Sequence, residues 1–243
     1  FVANRSDQPL QTTGNFRVAK GGPELWSPVT GKIRALPEFT RTHDRTTIPL
    51  RFEAYESYFV VFSTKPGTGS VPRDKTGNNF ADVARVGTVE GPWEVAFDPA
   101  MVAPAQVRFE RLEDWTLRSE PGLKYYSGIA TYCRSFDLPT TVSPQRSSPL
   151  YLDPGTVQVM ARVRVNGKDC GVAWTAPWRV DITAAVQPTG NTLEIEVANL
   201  WPNRMIGDAI APEKTYTQTT YRPFKATDAL LPSGLLGPVR LMK

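Results

Sequence analysis

The stretch "TVQVMARVRVNGKDCGVAW", residues 156–174, decides the fold. Val157, Val159, Ala161, Val163 and Val165 alternate with Gln158, Met160, Arg162 and Arg164. A period of two sends successive side chains to opposite faces of a strand, so this is a sheet with one buried face. Asn166-Gly167 follows directly. Both central residues of a type I′ turn need positive φ, and Asn-Gly supplies this at low steric cost. The pair predicts a hairpin, with the chain returning as "DCGVAW" (169–174).

Outward from the hairpin the same grammar recurs. "TLEIEV" (192–197) is a second clean alternation with Leu193, Ile195 and Val197 inward. "TVEGPWEVAFDP" (88–99) gives a strand with Trp93, Val95 and Phe97 on one face. "QVRFERLEDW" (106–115), "YYSGIATYCRSFDLP" (125–139) and "GPVRLM" (237–242) add further strands. "RVDITAAVQPTGN" (179–191) predicts a short helix capped by Asp181 and stopped by Pro188 and Gly190. Nearer the start, "NFRV" (15–18), "GKIRAL" (31–36), "TTIPLRFE" (46–53) and "SYFVVFST" (57–64) are short strands parted by Gly/Pro turns. "PVTGKI" is a hairpin signal with Gly31 in the turn, and the unbroken apolar run Tyr58–Phe62 predicts a strand covered on both faces. "KPGTGSVPRDKTGNN" (65–79) has no apolar period and reads as a linker.

The chain is therefore all-β: a small antiparallel β-domain over 1–65, a linker over 66–82, and a β-sandwich or jelly roll over 83–243. The 22 Pro and 18 Gly in 243 residues argue against long helices. The chain opens on Phe1 rather than Met, which points to a piece of a longer polypeptide. No apolar run approaches the roughly 18 residues that span a bilayer, so no membrane partner is expected. Net charge is +4, from 28 basic and 24 acidic residues, and it is spread without a Lys/Arg cluster. Nucleic acid is not an expected partner. The two cysteines, Cys133 and Cys170, sit in apolar strand patterns and read as buried thiols, with a single bridge left open. The one histidine, His43, lies in polar, turn-like "RTHDRTT", which excludes a His-rich zinc site.

The segments "GPWEVAFDP", "FERLEDWT", "KYYSGIATYCRSFDLP", "ARVRVNGKDCGVAWTAPWRVDIT", "GNTLEIEVANLWPNRMIGD" and "LLPSGLLGPVRL", in that order, resemble the galactose-binding-like sandwich domain of family 2-type glycoside hydrolases. More closely they resemble the C-terminal non-catalytic region of glycoside hydrolase family 106, the α-L-rhamnosidases. "FVANRSDQPL" and "PELWSPVTGKIRALPEF" resemble the stretch that follows the catalytic barrel in those enzymes. The resemblance implies a galactose-binding-like jelly roll preceded by an ancillary β-domain. It also implies that the catalytic carboxylates and their metal lie in a barrel outside this chain, so no catalytic residue is carried over.

Hydrolysis by either standard route needs two carboxylates facing one bond. Glu194 and Glu196 share a solvated strand face, and adjacent Glu113 and Asp114 would point apart on a strand. Neither pair persuades. Sugars are gripped by aromatic rings against C–H faces and by amides, carboxylates and guanidinium groups at hydroxyls. The candidate carbohydrate-binding residues are Trp174, in the bend after the hairpin, and Trp201, Asn203, Arg204 and Asp208 in "NLWPNRMIGD" (199–208). Trp93 and Trp178 are assigned to the core. In a competing, structural reading Asn199 and Asp208 cap a turn, Arg204 bonds Asp208 or backbone carbonyls, and Trp201 plugs one end of the sandwich.

No cofactor is expected. The sequence allows one structural calcium, at Asp98, Asp137 and Asp153 near strand ends. The expected function is that of a carbohydrate-binding ancillary region of a polysaccharide-degrading hydrolase, secreted or periplasmic. Its partners would be an oligo- or polysaccharide and the parent's catalytic barrel. A domain that only braces the barrel is the alternative. A small glycosidase or lyase using Tyr125, Tyr126 and Lys124 is the third.

Overall fold

A computed structural model describes residues 1–64, 77–101, 103–143 and 148–243. They form two compact units, Phe1–Val83 with Thr175–Pro177, and Ala84–Trp174 with Trp178–Lys243.

The first unit holds strands β1 (Val2–Ala3), β2 (Leu10–Phe16), β3 (Gly22–Trp26), β4 (Ile33–Ala35), β5 (Thr40–Arg41), β6 (Thr46–Phe52) and β7 (Ser57–Ser63). They make a four-stranded sheet, β1-β7-β3-β4, and a three-stranded one, β2-β6-β5. β6 alternates as its sequence requires, burying Thr46, Ile48, Leu50 and Phe52. Ile48, Leu50 and Phe52 join Leu25, Leu36 and Tyr58 in one apolar cluster. The β3–β4 hairpin closes through Gly31, at φ 67°, whose N–H donates to the Ser27 carbonyl at 2.9 Å.

Two expectations change here. The run Tyr58–Phe62 is not covered on both faces. Phe59 is exposed, its ring tilted against that of the exposed Phe1 with centroids 5.3 Å apart. Residues 65–76 of the stretch read as linker lie outside the described residues, but its end is packed. Asn79 is buried, donating to the Glu38 and Pro49 carbonyls and accepting from the Glu38 N–H, and Phe80 packs on the apolar cluster.

The second unit holds β8 (Arg85–Val89), β9 (Trp93–Phe97), β10 (Gln106–Phe109), β11 (Ile129–Phe136), β12 (Tyr151–Asp153), β13 (Thr156–Gln158), β14 (Met160–Val165), β15 (Lys168–Ala173), β16 (Val180–Asp181), β17 (Asn191–Ala198), β18 (Gly234–Gly237) and β19 (Val239–Met242). Two short helices, α1 (Pro121–Lys124) and α2 (Pro202–Ile210), interrupt them. A six-stranded sheet β10-β9-β11-β17-β14-β15 and a four-stranded sheet β16-β12-β19-β8 carry most of the unit, with a pair β13-β18. The six-stranded sheet turns Trp93, Val95, Phe97, Tyr132, Val163 and Ile195 inward. They share one cluster with Leu152, Val239 and Leu241 of the other sheet. Two sheets burying one core between them make a β-sandwich. Polar atoms in this core are paired: the Trp115 indole N–H donates to the Tyr132 hydroxyl at 2.7 Å, which also accepts the Leu235 N–H.

The first half of the opening stretch, 156–165, expected as one strand, resolves into two. β13 pairs with β18, while β14 pairs with β15 and β17. Val159 is the corner between them, half-buried and outside both strands. Asn166 and Gly167 have φ 52° and 74°, as the type I′ turn requires.

No helix forms over 179–191. Asp181 ends β16, and its Oδ1 accepts from the Thr183 N–H and hydroxyl. One turn forms on the Ile182 carbonyl. Asn191 then clasps Gln187 from both sides, donating to its carbonyl at 2.7 Å and accepting its N–H at 2.9 Å, which redirects the chain into β17. The cysteines are free thiols, as expected, but they are not buried: Cys170 is half-buried and Cys133 is exposed on the outer face of β11. The alternation that buries Ala130, Tyr132 and Phe136 sends Cys133 outward.

Candidate functional site

The segment 199–208 is a short connection that enters a helix, and Asp208 lies within that helix rather than capping a turn. Asn199 ties the end of β17 to the approach of β11: its Nδ2 donates to the Tyr126 carbonyl at 2.8 Å, and its Oδ1 accepts the Gly128 N–H at 2.9 Å. Trp201 takes the N-cap position without a capping hydrogen bond, and Pro202 starts the helix. Proline suits that position because its missing N–H would be unpaired there anyway.

Three of the five candidate sugar residues face inward from α2. Asn203, Arg204 and Asp208 are only 2%, 5% and 1% exposed. The Arg204 Nε lies 3.0 Å from Asp208 Oδ1, and its guanidinium sits over the ring of Tyr216 at 4.9 Å and near that of Tyr125 at 5.8 Å. Asp208 Oδ2 accepts from the Thr217 hydroxyl (2.6 Å), the Thr217 N–H (2.8 Å) and the Tyr216 N–H (3.1 Å). Burial pushes the Asp208 carboxyl up, but the hydrogen bonds from Thr217 and Tyr216 and the Arg204 charge outweigh it and hold the group below its ordinary value. Asn203 clasps the Leu231 backbone, donating to its carbonyl at 2.7 Å and accepting its N–H at 2.8 Å, and also donates to the Ser233 hydroxyl. The helix thus anchors the irregular segment 211–233 at Tyr216–Thr217 and at Leu231–Ser233. With these groups fully engaged by their own chain, little of them is left for a ligand.

The two tryptophans are different. Trp174 and Trp201 are 53% and 52% exposed. Trp201 therefore does not plug the sandwich. Trp174 follows the edge strand β15, and Trp201 follows β17, two strands away in the sheet order.

A group that the sequence pattern did not single out lies beside Trp201. Ile129, Ala198 and Met160 are register partners across β11, β17 and β14. Their neighbours Ala130, Val197 and Ala161 face the core, so the first three face outward. Ile129 and Met160 are exposed, as are Leu200 and Trp201 where β17 runs into α2. The parity of Tyr132 and Val163 was the available signal, because it fixes Ile129 and Met160 to the outer face.

Of the four carboxylates weighed as hydrolytic pairs, Glu113, Asp114 and Glu196 are engaged locally. Glu196 pairs with Arg164 at 2.6 Å, Glu113 with Arg118 at 3.0 Å, and Asp114 accepts the N–H groups of Thr116 and Ser233. Asp98, Asp137 and Asp153 accept the N–H groups of Ala100, Gly190 and Gly155. Among the described residues no group of three His, Cys, Asp or Glu side chains is arranged to hold a metal.

No protein-family model matches the chain. A "Putative beta-glucuronidase" of Formosa agariphila is 37% identical over 175 residues, covering 62% of this chain and 15% of that protein. A rhamnosidase from Novosphingobium sp. PP1Y superposes with a TM-score of 0.87 at 39% identity, over 99% of this chain and 22% of that one. The chain thus spans less than a quarter of the length of either relative. It is related to a region of glycoside hydrolases.

Proposed function

We propose that the chain is a non-catalytic ancillary region of an α-L-rhamnosidase-like glycoside hydrolase, and that it acts by docking onto the remainder of that enzyme. The observation that carries this reading is the outward row Ile129–Ala198–Met160 with the adjoining Leu200 and Trp201. Covering a half-exposed side chain of this size stabilises by about 1 kcal/mol, so the group supplies a few kcal/mol to an interface. The likeness to part of a rhamnosidase supports a larger partner of the same polypeptide. The local pairing of Glu113, Asp114 and Glu196 supports a region without a hydrolytic pair. An enzyme of this kind works where polysaccharide is met, in the periplasm or outside the cell. The test is co-elution of the chain with the separately expressed remainder of its parent hydrolase in size-exclusion chromatography. The pair Met160→Glu and Trp201→Glu should abolish co-elution. Unchanged co-elution would remove the docking assignment.

A second reading is favoured by the two half-exposed indoles: Trp174 and Trp201 as platforms for a rhamnose-containing glycan. Isothermal titration with L-rhamnose and with rhamnose-containing oligosaccharides tests it. Saturable heat that Trp174→Ala removes would support it.

A further inference from the structure

β11 has an open backbone edge inside the six-stranded sheet. β9 pairs with it from Phe97↔Ala130 only as far as Glu94↔Cys133, while β11 runs on to Phe136, still paired with β17. Successive residues of an antiparallel strand turn their N–H and C=O alternately to one neighbour and to the other. On the β17 side the Asn199 N–H donates to the Gly128 carbonyl. By alternation Ala130, Tyr132, Arg134 and Phe136 also bond that way, and Thr131 and Cys133 bond β9. Ser135 therefore aims its backbone groups at the place where β9 would continue, opposite Pro92.

Pro92 does not meet them. It has no N–H for the Ser135 carbonyl, and its own carbonyl accepts from Arg134 Nη1 at 3.0 Å. Among the described residues neither the N–H nor the C=O of Ser135 has a hydrogen-bond partner, and those of Asp137, just past the strand, have none either. Both residues are exposed. Beside this edge lies a depression of about 430 Å³. That is inside the roughly 300–1,000 Å³ of small-ligand sites, room for a short stretch of chain. A free donor and acceptor side by side on a strand are what an added strand takes up.

The side chains around the edge set the chemistry of that strand. Arg134, the register partner of buried Leu193, lies on the inner face, held by the Pro92 carbonyl. The outer side of the depression is lined by Arg108, Glu94, Cys133 and Glu194, register partners in one row across four strands. Arg108 lies 2.8 Å from Glu110 and 3.9 Å from Glu94. Arg164, the register partner of Glu194, pairs instead with Glu196, and Glu194 has no hydrogen bond or ion pair among the described residues. Two carboxylates thus face the depression on its outer side, against one guanidinium that a third carboxylate shares. A residue paired with Ser135 sends its side chain to the face that Ser135 occupies, which is this outer one. We propose that the edge at Ser135 takes up an extended segment of a partner protein as an added antiparallel strand, with a lysine or arginine opposite Ser135. None of these residues belongs to the Ile129–Met160 row, so the proposal goes beyond the docking reading and does not depend on it.

The probe is the amidated peptide TVKVT, labelled with fluorescein at its N-terminus and titrated into the full chain. Fluorescence anisotropy reads affinity, and amide hydrogen exchange followed by NMR reads the Ser135 N–H. The comparators are TVEVT and TVKVT methylated on the lysine backbone nitrogen, which keeps the charge but cannot donate to the Ser135 carbonyl. The expected result is saturable binding of TVKVT with slowed exchange at Ser135, and much weaker binding of both comparators. Glu194→Gln should weaken TVKVT about tenfold, the loss of one charge-assisted hydrogen bond. Ser135→Pro, a change a strand edge tolerates, should abolish binding while circular dichroism shows the fold intact. The proposal is overturned if TVKVT leaves Ser135 exchange unaltered, if either comparator binds as well, or if both variants keep full affinity. Protection of Ser135 that grows with protein concentration in the absence of peptide also overturns it, by making the edge a contact between copies of this chain. Docking is read from co-elution alone, so either result can fail without the other.

Discussion

Asp208 shows how a charged residue can be structural without being a site. Its two oxygens are divided between Arg204 and the Tyr216–Thr217 backbone. Asp208→Ala would leave the Arg204 guanidinium buried and unpaired, a loss of about 3–5 kcal/mol, readable as a lower urea midpoint. The acid response follows from the depressed carboxyl. Its contribution is fully present above the ordinary carboxylate value and is lost as pH falls through the lower folded value. Asp208→Asn should therefore show a flatter stability profile in that acidic window. Cys133 gives the opposite shift. Burial, then the Glu194 and Glu94 charges, raise its thiol, so its alkylation should set in at higher pH than that of a free cysteine. Glu94→Gln should move the onset down, and an unmoved onset would show that Glu94 contributes nothing. The types Asn, Arg and Asp in 203–208 were visible in the sequence. Their burial was not, because charged residues are exposed by default and only the fold supplies Tyr216 and Thr217 as partners.

Elements divide by how local their causes are. The Asn166-Gly167 hairpin was legible because two adjacent residues determine it. α2 was not. Its buried face is Asn203, Arg204, Ile206, Gly207 and Asp208, which breaks the apolar period that announces a helix, and Gly and Asp are poor helix formers. The corner at Val159 was hidden for a different reason. Both halves of 156–165 keep alternating, and a change of sheet leaves that pattern intact. Glycines test the element scale directly. A Cβ at Gly167 meets open space, so Gly167→Ala strains only a φ of 74° and costs about 1 kcal/mol. At Gly155 a Cβ would lie 2.5 Å from the Gly237 carbonyl carbon, against backbone that cannot step aside. Thermal denaturation should place Gly155→Ala well below Gly167→Ala.

At the scale of the molecule, the all-β class and the sandwich of the larger unit were readable from alternation and turn residues, since both are sums of local signals. The apolar end of the six-stranded sheet was not, because it emerges only when three strands fall into register. If that end meets a partner, the chain on its own should bind an apolar dye and associate with rising concentration. Ile129→Lys with Met160→Lys should suppress both, by fluorescence and by sedimentation. The hairpin turn has a further consequence, for how the molecule ages. In an Asn-Gly pair the glycine nitrogen, unhindered by a side chain, can attack the asparagine side-chain carbonyl and expel ammonia. Here the Asn166 amide donates to Ala185 and Asn191 and accepts the Thr192 N–H, so the attack must wait until those bonds open. Deamidation at Asn166 thus becomes a clock that runs only while the β14–β15 turn is undone, and a stored sample would carry a chemical record of how often that happens.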